Sequence, residues 1–231
     1  MKNKKVLIFA AHPDDEILGC GGTIAYHRNK GDKVGVCYLS EGVSSRFDYN
    51  KTKEWIKEAQ LRKDMAVKAS SILDFKIINF LDLPNLRMED QPKLELVKKI
   101  YDIIEIFNPE IIYVNFPGDL NSDHQVTFKS VFTALRPNSK INTKILRCYE
   151  VLSSTDWAAN IDEPKFNPDT YVDVTHFIEK KMKSIIAYKD EMRPFPHPRS
   201  EEVITSLMRF RGSQVGFKYA EAFVTIKNLI N

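Results

Sequence analysis

An imidazole and three carboxylates fall within five residues at His12-Pro13-Asp14-Asp15-Glu16. They follow directly on the apolar run Val6-Leu7-Ile8-Phe9-Ala10. An apolar run of that length, stopped by a proline, reads as a buried strand. So many charges just past a buried strand are costly unless something cationic sits among them. A divalent metal is the economical solution. His12 and Asp15 can both reach one ion from a tight turn, which leaves Asp14 as a free carboxylate beside it. Capping of a following helix explains one or two of the acids. It does not explain His12.

The elements that must position these residues alternate. Strands are expected at Lys5–Ala10, Val34–Leu39, Lys76–Phe80 and Glu110–Asn115, with helices at Ile17–Asn29, Thr52–Leu73 and Pro92–Phe107. This is the pattern of βαβ units. The expected fold class is therefore α/β, Rossmann-like, with a mainly parallel sheet flanked by helices. Gly31 ends the first helix. A fourth helix is expected after His124, stopping at Arg136-Pro137. The last third adds strands at Ile145–Val151 and Tyr171–Val174 and helical spacing at Phe177–Tyr188 and Glu201–Arg209. Ala222–Ile226 reads as a strand or a short helix. Gly42–Tyr49 and the proline-rich stretch Arg193–Ser200 are expected loops. In an open sheet of this kind, ligands bind beyond the carboxyl ends of the strands.

The chain has 231 residues, a hydrophobic fraction of 43% and a net charge of +3. Its length suits one α/β domain spanning residues 1–231. The charge balance gives no case for nucleic acid or a membrane surface, and no stretch is long enough for a transmembrane segment. The basic N-terminus is not a signal peptide, because the apolar run after it is short and ends in charge. Cys20, Cys37 and Cys148 form no CxxC pair; they read as small buried hydrophobes in a cytoplasmic protein. Assembly into a homo-oligomer is left open. Gly19-Cys20-Gly21-Gly22 has the wrong spacing for a dinucleotide loop. These glycines are expected to let the first helix approach the sheet.

An open catalytic zinc site keeps three protein ligands, so one more is needed. His27, mid-helix beside Arg28, reads as a surface residue, and His176 as a cap or turn residue. His124 differs. It follows Asp119, Asn121 and Asp123 just past the strand at residues 111–114, on the same sheet edge as His12.

Together, Ala11-His12-Pro13-Asp14-Asp15-Glu16 and Asn121-Ser122-Asp123-His124 resemble the PIG-L/LmbE family of zinc-dependent N-acetylglucosaminyl deacetylases. The resemblance extends to Ser40-Glu41-Gly42, Ser44-Ser45-Arg46 and Arg211-Gly212 through Ala220-Glu221-Ala222-Phe223, and so spans nearly the whole chain. It implies His12, Asp15 and His124 as metal ligands, Zn²⁺ as the metal with Fe²⁺ as an alternative, and Asp14 as the general base. It also implies Arg46 as a substrate-binding residue and an N-acetylated amino sugar as substrate. One departure stands out. Asn121 occupies the place of the motif's first histidine, a cation thought to stabilise the tetrahedral intermediate, and an amide carries no charge. Asn121 is thus assigned to substrate binding. His197, in the proline-rich loop, is the expected replacement, with Asp123 orienting a ring. The other readings are an amidase for a larger acyl group or thiol conjugate, a non-catalytic sugar- or nucleotide-binding protein, and a metal-dependent phosphoesterase. The last would require further ligands and cations.

Overall fold

The computed structural model describes residues 3–48, 52–137, 140–158 and 164–230. Its elements run β1 (Lys5–Ala10), α1 (Asp15–Asn29), β2 (Lys33–Ser40), α2 (Thr52–Leu73), β3 (Lys76–Leu83), α3 (Lys93–Phe107), β4 (Ile111–Asn115) and α4 (Ser122–Ala134). There follow β5 (Ile145–Tyr149), β6 (Thr170–Asp173), α5 (Ile178–Ile186), α6 (Glu201–Ser213) and β7 (Ala220–Asn228). The seven strands form one sheet in the order β3-β2-β1-β4-β5-β7-β6. The first five are parallel; β7 runs antiparallel to both β5 and β6.

Strand β1 is apolar at every position after Lys5 because both its faces are covered. Val6, Ile8 and Ala10 join the core beneath α1, α2 and α5. Leu7 and Phe9 join the opposite core beneath α3 and α4. The chain winds outward from β1 to β3, then crosses back to place β4 on the other side of β1. Strand order reverses there, so the carboxyl ends of β1 and β4 border the crevice where such sheets bind ligands.

The glycines of α1 do what their spacing suggested. A Cβ on Gly19 would overlap the Tyr149 ring, and one on Gly22 would lie 2.7 Å from Val174 Cγ1. Tyr149 cannot retreat, because its hydroxyl donates to Phe9 O (2.9 Å) and Asn115 Oδ1 (3.0 Å). Overpacking costs about 1–3 kcal/mol, against a gain of about 1 kcal/mol in helix propensity for alanine. Gly19→Ala is therefore expected to lower the midpoint of thermal unfolding. A raised midpoint would show that the helix has room to move.

All three cysteines are free and buried. Burial pushes the Cys37 thiol up to about 12 and raises Cys20 and Cys148 well above the ordinary value. The thiolate is the reactive form, so the native protein should not react with a thiol reagent, while guanidinium-unfolded protein should titrate all three. Rapid labelling of the native chain would contradict this packing.

Some boundaries differ from expectation. Helix α4 begins at Ser122, ahead of His124 rather than after it, because Asn121 caps it: its Oδ1 accepts from Asp123 N–H (2.9 Å). The expected loop after β2 contains a short 3₁₀ turn at Ser44–Arg46; Tyr49 lies outside the described residues. The final run is a nine-residue strand.

Candidate metal centre

The turn after β1 brings His12 and Asp15 together. Asp15 Oδ2 accepts from His12 N–H (2.9 Å) and from Asn115 Nδ2 (3.1 Å), which stands at the end of β4. Asn115 Oδ1 in turn accepts from Ala11 N–H (2.9 Å), so one amide ties the two strand ends. His124, in the first turn of α4, completes the group. Its Nε2 lies 3.3 Å from Asp15 Oδ2, and His12 Nδ1 lies 3.5 Å from the same oxygen. One ligand atom from each of His12, Asp15 and His124 falls within 4.8 Å of the others, and all three residues are buried.

The outer nitrogens of both rings are occupied. His12 Nε2 is 3.0 Å from Asp123 Oδ2, and His124 Nδ1 is 2.7 Å from Asp119 Oδ2. With those N–H groups donating outward, His12 Nδ1 and His124 Nε2 turn their lone pairs toward Asp15. A carboxylate fixing the tautomer of a ligand histidine is the usual support of a metal site. Asp15 Oδ1 is buried without a hydrogen-bond partner. The electrostatics also call for positive charge. Burial alone would lower the His124 imidazole, yet Asp15 and Asp119 overcome it and push it up to about 10. Burial would raise Asp15, but His124 and His12 hold it well below the carboxylate range. This donor set fits a divalent cation.

Asp14 sits beside the cluster at the position just before α1, with φ at 135°. A non-glycine residue there carries strain of about 1–3 kcal/mol, of the kind that gathers at functional sites. Its Oδ2 accepts from Arg199 Nη1 (2.8 Å) and lies 3.4 Å from Arg62 Nη1; its Oδ1 is buried with no partner. Glu16, which follows, points into the core and accepts from Tyr38 and Tyr188 hydroxyls, both at 2.8 Å. Burial pushes it up to about 7 despite those hydrogen bonds.

The other predicted residues lie elsewhere in the network. Asp123 orients a ring, but the ring is His12. It also accepts the backbone N–H groups of Leu86 (2.7 Å) and Met88 (3.3 Å), while His197 has its contacts elsewhere. The expected pair of His197 and Asp123 is therefore absent. His197 packs edge-on against Trp157 and accepts from Arg199 N–H through Nδ1 (3.0 Å). Burial, then the charges of Arg199 and Arg193, lower its imidazole, the wrong direction for a cationic donor. Asn121 uses its carbonyl as a helix cap. Arg46 is bound in both arms to Glu191, at 2.9 and 2.8 Å. His27 is not on the surface: it is buried between Asp32 (2.7 Å) and the Tyr113 hydroxyl (3.2 Å).

Sequence reasoning passed over Asn115, Arg62, Glu191 and Arg199. Only Asn115 carried a signal, as a polar residue closing an apolar strand. Asp119 stood out only as one of three polar residues near His124.

Fold and site together define a Rossmann-like α/β protein with a candidate metal centre at its topological switch point. The chain belongs to the PIG-L family, whose pattern, described as GlcNAc-PI de-N-acetylase, matches residues 7–135. Among curated proteins it is similar to one of Bacillus anthracis named "Probable N-acetyl-alpha-D-glucosaminyl L-malate deacetylase 2", 26% identical over 83% of each chain. It is also similar to diacetylchitobiose deacetylase of Thermococcus kodakarensis, 22% identical over 94% of this chain and 81% of that one. The structure of N,N′-diacetylchitobiose deacetylase from Pyrococcus horikoshii superposes with a TM-score of 0.75 at 22% identity, covering 97% of this chain and 84% of that one. A 4-carboxy-2-hydroxymuconate hydratase from Pseudomonas putida KT2440 superposes with a TM-score of 0.77, also at 22% identity, over 99% of this chain and 98% of that one. The fold thus carries more than one chemistry, and function must be argued from the site.

Proposed function

We propose that the protein is a metal-dependent N-deacetylase acting on an N-acetylglucosamine-type sugar or its conjugate. The observation that carries this reading is the meeting of two outward-anchored imidazoles and Asp15 at one buried point, with the unpartnered Asp14 Oδ1 beside it. Membership of a family described by a de-N-acetylase, and relatives named for deacetylation of N-acetylated sugars, support the choice of reaction. Two imidazoles and a carboxylate suit Zn²⁺, with Fe²⁺ as the alternative. A metal held by His12, Asp15 and His124 would activate water and polarise the acetamide carbonyl.

The chain's own residues do the rest. Asp14 is the general base: Oδ2 is anchored by Arg199, so Oδ1 is the oxygen free to take the proton of the attacking water. The same carboxyl then returns a proton to the departing amine, giving acetate and a free amino sugar. Asp119 and Asp123 hold the two ligand rings. We place the enzyme, as one domain, in the cytoplasm, supported by its three free thiols; among the described residues no helix is long and apolar enough to cross a membrane.

Acetate release should be measured across N-acetylglucosamine conjugates with Zn²⁺ supplied. Release from at least one is expected, lost on chelation and restored by metal. No release from any neutral, acidic or lipid-linked conjugate would overturn the reading.

A further inference from the structure

Asn121 leaves the site without the cation its family motif carries at that position. The loop between α5 and α6 fills the gap with a different residue from the expected one. Arg199 reaches in from it. Its Nη1 donates to Asp14 Oδ2 (2.8 Å) and its Nε donates to Ser153 Oγ (2.9 Å). Ser153 adjoins Ser154, whose Oγ accepts from Asn121 N–H (3.3 Å) and whose carbonyl accepts from Leu120 N–H (3.1 Å). The guanidinium therefore spans the mouth from Asp14 to the loop that seats Asn121. Two anchors fix its plane. The third nitrogen, Nη2, has no partner among the described residues. The loop is shaped for this: His197 Nδ1 accepts from Arg199 N–H, and Ser200 caps α6 by accepting from Val203 N–H (3.2 Å).

The neighbouring arginines both pair with Glu191, and Arg62 faces the Asp14 oxygen that Arg199 holds. Arg46 has both arms on Glu191, and Arg62 is buried with Nη1 2.8 Å from Glu191 Oε1.

We propose that Arg199 supplies the charge missing at Asn121, donating from Nη2 to the acyl oxygen of the substrate while Nη1 holds Asp14 in orientation. This rests on the deacetylase reading. As water adds to the acyl carbon, the carbonyl electron pair moves onto the oxygen beside Nη2, and the water proton goes to Asp14. When the C=O bond re-forms, the C–N bond breaks and the proton passes from Asp14 to the nitrogen. Arg199 stays protonated throughout.

The test compares wild type, Arg199→Gln, Arg199→Lys and His197→Ala, each loaded with zinc. Three quantities are read: kcat and KM for acetate release, zinc content, and calorimetric affinity for a methylphosphonamidate analogue of the acetamide. Loss of one oxyanion donor costs about 10²–10³ in kcat. Arg199→Gln should lose that factor in kcat with KM changed only a few-fold and zinc retained. Its affinity for the analogue should fall in parallel, since such analogues report transition-state contacts. His197→Ala, which loosens the turn that carries Arg199, should lose less in kcat than Arg199→Gln. An Arg199→Gln protein with wild-type kcat, or wild-type affinity for the analogue, overturns the proposal. If Arg199→Gln does not fold, Arg199→Lys carries the test: one ammonium cannot hold Asp14 and reach the acyl oxygen together, so kcat should fall at least about tenfold, and an unchanged kcat overturns it. If wild type releases no acetate, the deacetylase reading has failed, and the analogue alone decides Arg199: weaker binding by Arg199→Gln upholds its role and equal binding ends it.

Discussion

Alanine at His124 should leave the protein folded and without metal. As a ligand His124 would contribute a lone pair to the centre, and its removal would leave two donors, His12 and Asp15, where three converge. Replacing a residue that merely orients a ligand costs about 10–100-fold in metal affinity, so removing the ligand should cost more, and activity should vanish with the metal. His12→Ala should do the same. Asp119→Asn belongs in the intermediate range, because it disturbs the tautomer of His124 rather than the ligand itself. The fold should survive, since α4 is capped by Asn121 and His124 belongs to neither apolar core. The check is metal content by elemental analysis after dialysis against Zn²⁺, alongside thermal melts. A fully loaded His124→Ala protein would remove His124 from the ligand set.

Asp14→Asn should keep the metal and lose about 10²–10⁴ in turnover, the usual contribution of a positioned general base. The substitution is close to isosteric, and the two arginines dictate how the amide sits. Its oxygen will turn to Arg199 Nη1 and Arg62, which only donate, and its NH₂ will occupy the position of Oδ1. The proton acceptor is then replaced by a donor at the place where it is needed. Asp15→Asn should behave in the opposite order, losing metal first. Steady-state kinetics with metal analysis on the two variants separates the roles; metal loss in Asp14→Asn with retention in Asp15→Asn would mean they are exchanged.

Much of this was legible because it is local. The His-Pro-Asp-Asp-Glu run lies within one turn, so its charge density pointed to a candidate cation site without any knowledge of the fold. Alternating apolar runs gave β1 to β4, and strand ends carry sites in such sheets. The glycines of α1 signalled close packing correctly. What stayed hidden depends on contacts distant in sequence. Arg199 meets Asp14 across 185 residues, and nothing in a run of three prolines tells which side chain turns inward. The histidine was favoured there for its chemistry; packing made it the hinge of the turn and its neighbour the donor. His27 looked exposed because it stands among cations, yet its partners, Asp32 and Tyr113, come from the next turn and from β4. Asn121 was read by comparison with a histidine, while its helix-capping role follows from position alone.

The place of β7 in the sheet carries a consequence for how the protein comes into being. Among the described residues strand β6 pairs only with β7, which lies between it and β5. During synthesis, the five parallel strands can dock as their residues emerge, and with them the turns bearing His12, Asp15 and His124. Strand β6 must wait unpaired through about fifty residues until positions 220–228 arrive. The segment carrying Glu191 and Arg199 lies inside that interval. A chain lacking β7 would leave β6 without its pairing neighbour, while α5, which leads into the segment of Glu191 and Arg199, packs against α1 and α2.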